Sequence, residues 1–141
     1  FSVGAVSDEK ERLMRVTRES LYRALAAARE GNRISDIGHA VQQYVEAAGF
    51  SVVRDLVGHG IGTALHEPPQ IPNYGVPGQG ARLKAGMVFA IEPMVNAGSH
   101  EVYTDDDGWT VVTADGRPSA HFEHDIVITK GEPDILTSGL F

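Results

Sequence analysis

Four residues of this 141-residue chain have the types and settings to do chemistry together: His59, His66, Glu92 and Glu123. His59 lies in "GHGIG", with glycines at 58, 60 and 62. Glycine admits positive φ and lets backbone come close to a ligand. A histidine held there can aim one ring nitrogen at a metal while an acceptor fixes the other; the alternative is a turn that happens to contain a histidine. His66 follows in "LHEPP", where Pro68 and Pro69 stiffen the chain after it. Such a histidine suits substrate binding or proton transfer, and the alternative is a loop residue facing solvent. Glu92 closes the apolar run "VFAIE" just before Pro93. A carboxylate ending a buried strand needs a compensating charge, from a metal or from Lys or Arg.

Glu123 in "HFEHDIVIT" favours the metal. Strand alternation sets His121, Glu123 and Asp125 on one face, with Phe122, His124 and Ile126 on the other. Glu123 then faces a polar cleft from a strand that otherwise belongs to the core. One imidazole and two carboxylates, without sulfur, suit Mn, Fe(II), Co or Zn. The ligands come from a loop and two strands, unlike the H-E-x-x-H helix of other zinc peptidases. Trp109, the lone tryptophan, is either a core anchor or an aromatic pocket wall. "TDDDG" lacks the spacing and downstream glutamate of a calcium loop and reads as a solvated turn.

Elements must position these residues. "FSVGAV" reads as a strand. Asp8 and Glu11 resemble a capping box opening a helix whose apolar stripe is Leu13, Val16, Leu21, Ala24, Leu25 and Ala28, stopped by Gly31 and Asn32. Ser35 is placed to cap a second helix, with Ile37, Val41, Tyr44, Val45 and Ala48 on one face and Gly49 at its end. "FSVVRDLV" reads as a strand and 58–82 as an irregular loop. "MVFAIEPMV" predicts a strand to Pro93 or just past it, and "EVYT", "WTVVT", "FEHDIVIT" and "DILT" predict four more. "DDDG" and "ADGRP" carry hairpin-turn chemistry. The order is that of an α+β protein with a mostly antiparallel sheet and helices on one face.

Composition sets the outer limits. Net charge is −7, which argues against a general nucleic-acid binder. There is no cysteine, hence no disulfide or thiolate site, which fits a cytoplasmic protein. No apolar run reaches the length of a membrane span. Phe1 stands where a translation product has Met, so the chain reads as processed, truncated or partly represented.

Together "GHGIG", "LHEPPQIPNYG", "LKAGMVFAIEPMVN", "DGWTVVTADGRPSAHFEHDIVIT" and "DILT" resemble the type I methionine aminopeptidases in order and spacing. The helical segments match more loosely. The resemblance implies a pita-bread fold, a curved antiparallel sheet with helices on one face, and removal of the initiator Met from nascent polypeptides at a site of two divalent ions (Co, Mn, Fe or Zn). It implies His59, Glu92 and Glu123 as three of five metal ligands, with Glu123 bridging and Glu92 also assisting proton transfer. His66 then contacts the scissile carbonyl and steadies the oxyanion. Leu65 and Trp109 become walls of the methionine pocket; the family often has Phe where Leu65 stands.

The family's other two ligands are aspartates on a hairpin before this region. Residues 1–141 are therefore expected to be a single catalytic-type domain, the C-terminal portion of a pita-bread domain whose N-terminal half is absent. Without that half the chain is expected to be inactive and unstable or self-associating. The implied partners are nascent N-terminal Met, the missing half and a nearby ribosome, with no membrane and no specific nucleic acid. The alternatives are a proline-specific aminopeptidase or prolidase, and a non-catalytic pita-bread binding protein.

Overall fold

The computed structural model describes residues 2–141. Phe1 lies outside the described residues, and residues 2–6 form no strand, the backbone turning at Gly4 (φ 68°). Helix α1 spans Asp8–Ala27 and buries Leu13, Val16, Leu21, Ala24 and Leu25, the stripe that a 3.6-residue period requires. Its cap is Ser7, without a side-chain bond, rather than an Asp8 capping box. Asp8, Glu9 and Glu11 in the first turn favour the positive end of the helix dipole. Two hydroxyls inside the stripe are satisfied locally, Thr17 donating to Leu13 O at 2.8 Å and Ser20 to Thr17 O at 2.7 Å.

Helix α2 spans Ile34–Ala47 and buries Ile34, Ile37, Val41 and Val45. Asp36, not Ser35, secures its start: the Arg33 backbone N–H donates to the Asp36 carboxylate at 2.7 Å. Ser35 is already helical, and its hydroxyl exchanges two hydrogen bonds with the Gln79 backbone, at 2.7 and 2.8 Å. Gly38 lets residues 72–74 press against α2, since a Cβ there would stand 2.3 Å from Pro72 O.

Short strands follow: β1 (Ser51–Val52), β2 (Gly58–Gly60), β3 (Glu67–Ile71), β4 (Val88–Ile91), β5 (Met94–Asn96), β6 (Val102–Thr104), β7 (Val111–Thr113), β8 (Ser119–His121), β9 (His124–Val127) and β10 (Asp134–Ile135). All described pairs are antiparallel, in sheets ordered β10-β9-β4-β2-β3, β1-β5-β8 and β6-β7. Region 58–82 thus contains two strands where an irregular loop is expected; its Gly and Pro residues serve close strand packing and not only turns. "FSVVRDLV" supplies only the two residues of β1. "ADGRP" joins β7 to β8, which lie in different sheets, so it is not a hairpin turn.

The largest difference concerns "MVFAIEPMV" and "FEHDIVIT". Each is interrupted. The β4–β9 ladder runs from Val88↔Val127 to Ile91↔His124, and the β5–β8 ladder resumes at Met94↔His121. Glu92 and Pro93 face Phe122 and Glu123 across the gap, joined by a bond from Phe122 N–H to Pro93 O at 3.4 Å. Proline has no N–H to give the ladder, so regular pairing stops where Pro93 enters. Each chain crosses here from one sheet to the other. Both helices and both larger sheets contribute to one core that includes Leu21, Ile37, Phe89, Ile91, Val95 and Ile126. None of the described helices is long and apolar enough to cross a membrane.

Candidate metal centre

Three elements bring the candidate ligands together. His59 is the middle residue of β2, paired with Ala90 of β4 and Gln70 of β3. The register then jumps to Gly60↔Glu67, leaving Pro68 and Pro69 as a bulge. The flanking glycines are there for close approach and not for positive φ, which none of Gly58, Gly60 and Gly62 adopts. A Cβ on Gly58 would stand 2.4 Å from Ala90 O, and one on Gly60 2.5 Å from Pro68 O. His59 is thereby clamped between two strands. Its Nδ1 lies 3.0 Å from Gly60 O. A carbonyl only accepts, so the Nδ1 side donates there and Nε2 is the ring nitrogen turned towards the carboxylates.

Nε2 points at Glu92, 3.5 Å from Oε1, and both side chains are 14% exposed. The other oxygen of Glu92, Oε2, lies 3.4 Å from His121 Nε2. Glu123 completes the group: one donor atom each from His59, Glu92 and Glu123 lie within 4.8 Å of one another. Two donors held ~2.1 Å from one tetrahedral ion stand ~3.4 Å apart, so the His59–Glu92 spacing suits a shared cation. The Glu123 carboxyl is pushed above its ordinary range, first by partial burial and then by the charges of Glu92 and Asp125, with His121 and His59 opposing. A site that crowds carboxylates in this way favours a positive ion.

Glu123 does not emerge from a continuous strand. It precedes β9 at the crossing between sheets, and Glu92 follows β4 at the matching point. His121, the last residue of β8, is legible in the sequence only as a face-mate of Glu123 through the alternation "HFE". Asn73, 1% exposed, donates to the backbone carbonyl of Glu92 at 3.2 Å and carried no sequence signal at all.

His66 lies against His59, ring centroids 4.2 Å apart and tilted by 48°. The segment 62–66 that presents it is tied down by Glu67, whose Oε1 accepts from Ala64 N–H at 2.7 Å and from the Thr63 hydroxyl at 2.9 Å. These bonds, the Ala64 one foremost, hold the Glu67 carboxyl below its usual range. Leu65 in the same segment is 69% exposed. Trp109 is 85% exposed and therefore no core anchor. Its place in the β6–β7 turn is set by Asp107, which accepts from the N–H groups of Trp109 and Thr110 at 2.9 and 2.8 Å. A cleft of about 1150 Å³ runs beside α1 and reaches His121 and Glu123, with Leu13, Met14 and Phe122 among its walls.

Residues 1–130 match metallopeptidase family M24. A methionine aminopeptidase of Clostridium perfringens is 58% identical over 137 residues, which are 97% of this chain and 55% of that protein. Methionine aminopeptidase 1 of Bacillus subtilis is 60% identical over the same share of each. The crystal structure of a methionine aminopeptidase from Thermotoga maritima superposes with a TM-score of 0.95 at 51% identity, covering 97% of this chain and 55% of that one. The chain spans about half the length of the curated relatives it matches. With a His and two Glu that could hold a metal ion at the crossing of two antiparallel ladders, and with the match running through both ladders, the chain belongs to metallopeptidase family M24.

Proposed function

We propose that this chain is the metal-holding lobe of an aminopeptidase that removes the initiator methionine from new polypeptides in the cytoplasm, close to where N-termini leave the ribosome. Residues 1–141 then act as one catalytic-type domain, the C-terminal portion of a pita-bread domain. The observation that carries the reading is the convergence of His59, Glu92 and Glu123 within 4.8 Å. Identity of 58% and 60% to methionine aminopeptidases supports this substrate over prolyl peptides or a binding role without catalysis.

The donors fit Mn, Fe(II), Co or Zn: one imidazole nitrogen, two carboxylates and no sulfur. Three donors serve one ion. A second ion would need donors beyond this group, with Glu123 the residue that would be shared. When bound, such ions supply Lewis-acid polarisation of a peptide carbonyl and lower the pKa of water. Glu92, bracketed by His59 and His121, is placed to hold and pass a proton at its carboxylate. His66, beside the cluster and on a segment braced by Glu67, donates to the carbonyl oxygen as charge develops on it. Leu65 and Trp109 offer exposed apolar surface to a methionine side chain.

The test is release of Met from a Met-Ala-Ser peptide with Mn(II) or Co(II), by this chain alone and with the complementary half of a relative. Release is expected only in the second case, and EDTA abolishes it. There His66→Ala lowers kcat by about 10²-fold or more with bound metal retained, as loss of an oxyanion donor does. Cleavage confined to X-Pro peptides, or loss of metal from the His66 variant, overturns the assignment.

A further inference from the structure

The peptide unit joining Glu92 to Pro93 has one hydrogen-bonding atom, the Glu92 carbonyl oxygen, because proline brings no N–H. It also lies outside both ladders, which end at Ile91↔His124 and resume at Met94↔His121. The donor that reaches this carbonyl is the side-chain amide of Asn73, at 3.2 Å. Asn73 is 1% exposed and stands two residues past the end of β3. Gly38 helps seat it, since a Cβ on that helix residue would fall within 2.7 Å of Tyr74 N and 2.5 Å of Tyr74 O.

An acceptor must face Nδ2, so the amide orientation is set by Glu92. The consequence is that Asn73 Oδ1, also buried, meets no donor among the described residues. A buried acceptor left unpaired costs free energy that an apolar side chain of the same size avoids. Packing alone therefore gives no reason for an amide here, whereas holding the Glu92 carbonyl does.

We propose that Asn73 is a positioning residue for the metal centre: its hydrogen bond to the Glu92 carbonyl fixes the direction in which the Glu92 carboxylate leaves the sheet crossing. The proposal rests on the metal-binding reading above. With the carbonyl held, Oε1 faces His59 at 3.5 Å and Oε2 faces His121 at 3.4 Å. Released, the backbone at Glu92 loses the bond that fixes it at the crossing, and the Cα that carries the carboxylate is free to shift relative to His59.

Three substitutions test it. Asn73→Leu keeps the size and removes the donor, Asn73→Val removes the donor with a smaller apolar side chain, and Asn73→His restores an N–H at a similar reach. The readouts are Co(II) affinity from visible absorption, Tm without metal, and the Glu92 position in metal-free crystals. Asn73→Leu is expected to keep or raise the metal-free Tm, to weaken Co(II) about 10- to 100-fold, the cost of losing an outer support of a ligand, and to displace the Glu92 carboxylate from His59. Asn73→His is expected to bring affinity back towards that of the parent. If Asn73→Leu does not fold, Asn73→Val carries the same comparison. Unchanged affinity with Glu92 unmoved overturns the proposal. So does a parallel loss of Tm and affinity that histidine does not repair, because that marks a packing role. Absence of Co(II) uptake by the unsubstituted protein overturns the metal reading, and the position of Glu92 in the metal-free leucine variant then still decides whether Asn73 positions it.

Discussion

Glu92 and Glu123 occupy equivalent backbone positions and unequal environments. Each sits where one chain of the paired ribbon passes from the five-stranded to the three-stranded sheet. Glu92 is 14% exposed at its side chain, with a histidine on each oxygen and its carbonyl held by Asn73. Glu123 reaches solvent, follows Phe122 rather than preceding a proline, and has its carboxyl raised by partial burial, Glu92 and Asp125. The difference separates two jobs. A break in a ladder determines where a carboxylate emerges; the neighbours determine how firmly it is aimed and how readily it gives up its proton.

The largest expected effect tests whether the two crossings share one foundation. Ile91 precedes Glu92 and Ile126 lies in the facing strand, both fully buried. Ile91→Ala and Ile126→Ala should each lower unfolding free energy by about 2–5 kcal/mol, measured by urea denaturation without metal. A loss at one and not the other would show that the crossings are supported separately.

Next come the carboxylates themselves. Glu92→Gln and Glu123→Gln each remove a charged donor while keeping the shape, and Mn(II) or Co(II) affinity should fall by about 10²-fold or more, exceeding the usual cost of an outer-support change. Calorimetric titration of both variants checks this. Retained affinity in either would remove that residue from the donor set.

The smallest effect sharpens the contrast in charge. The Glu123 carboxyl is raised in the folded protein, so folding there favours the protonated form. Ionised Glu123 therefore costs stability at neutral pH in the absence of metal. That cost fades as pH falls through the raised value and is gone below the ordinary carboxylate range. Metal-free Glu123→Gln should melt slightly above the parent at pH 7, the gap being small because the residue meets solvent, and should match it near pH 4. A variant that melts lower at pH 7 would mean that the charge is stabilised by something the neighbours named here do not supply.

Much of the site could be read from local context. Gly-His-Gly, Glu-Pro and a glutamate beside an apolar strand each depart from what ordinary core or loop segments contain, and these three segments supply the converging group. The supports were not readable in the same way. His121 and Asn73 are common polar residues whose roles depend on what faces them, and Asn73 meets Glu92 from 19 positions away. The glycines of 58–62 suggest positive φ or close backbone approach to a ligand; close approach is the need, but to the neighbouring strands.

The sequence by itself determined the two helices, whose apolar stripes act through bonds three and four residues away, although α1 ends at Ala27, ahead of the Gly31 stop, and only α2 closes at its glycine, Gly49; it also determined the chemical kinds available: imidazole and carboxylate, without thiol. Tertiary structure alone decided that "MVFAIEPMV" and "FEHDIVIT" would each break, and break opposite one another. A strand's pairing comes from a partner some thirty positions distant, so its register, and the gap in that register, exist only once both chains are in place. That gap is where His59, Glu92 and Glu123 meet.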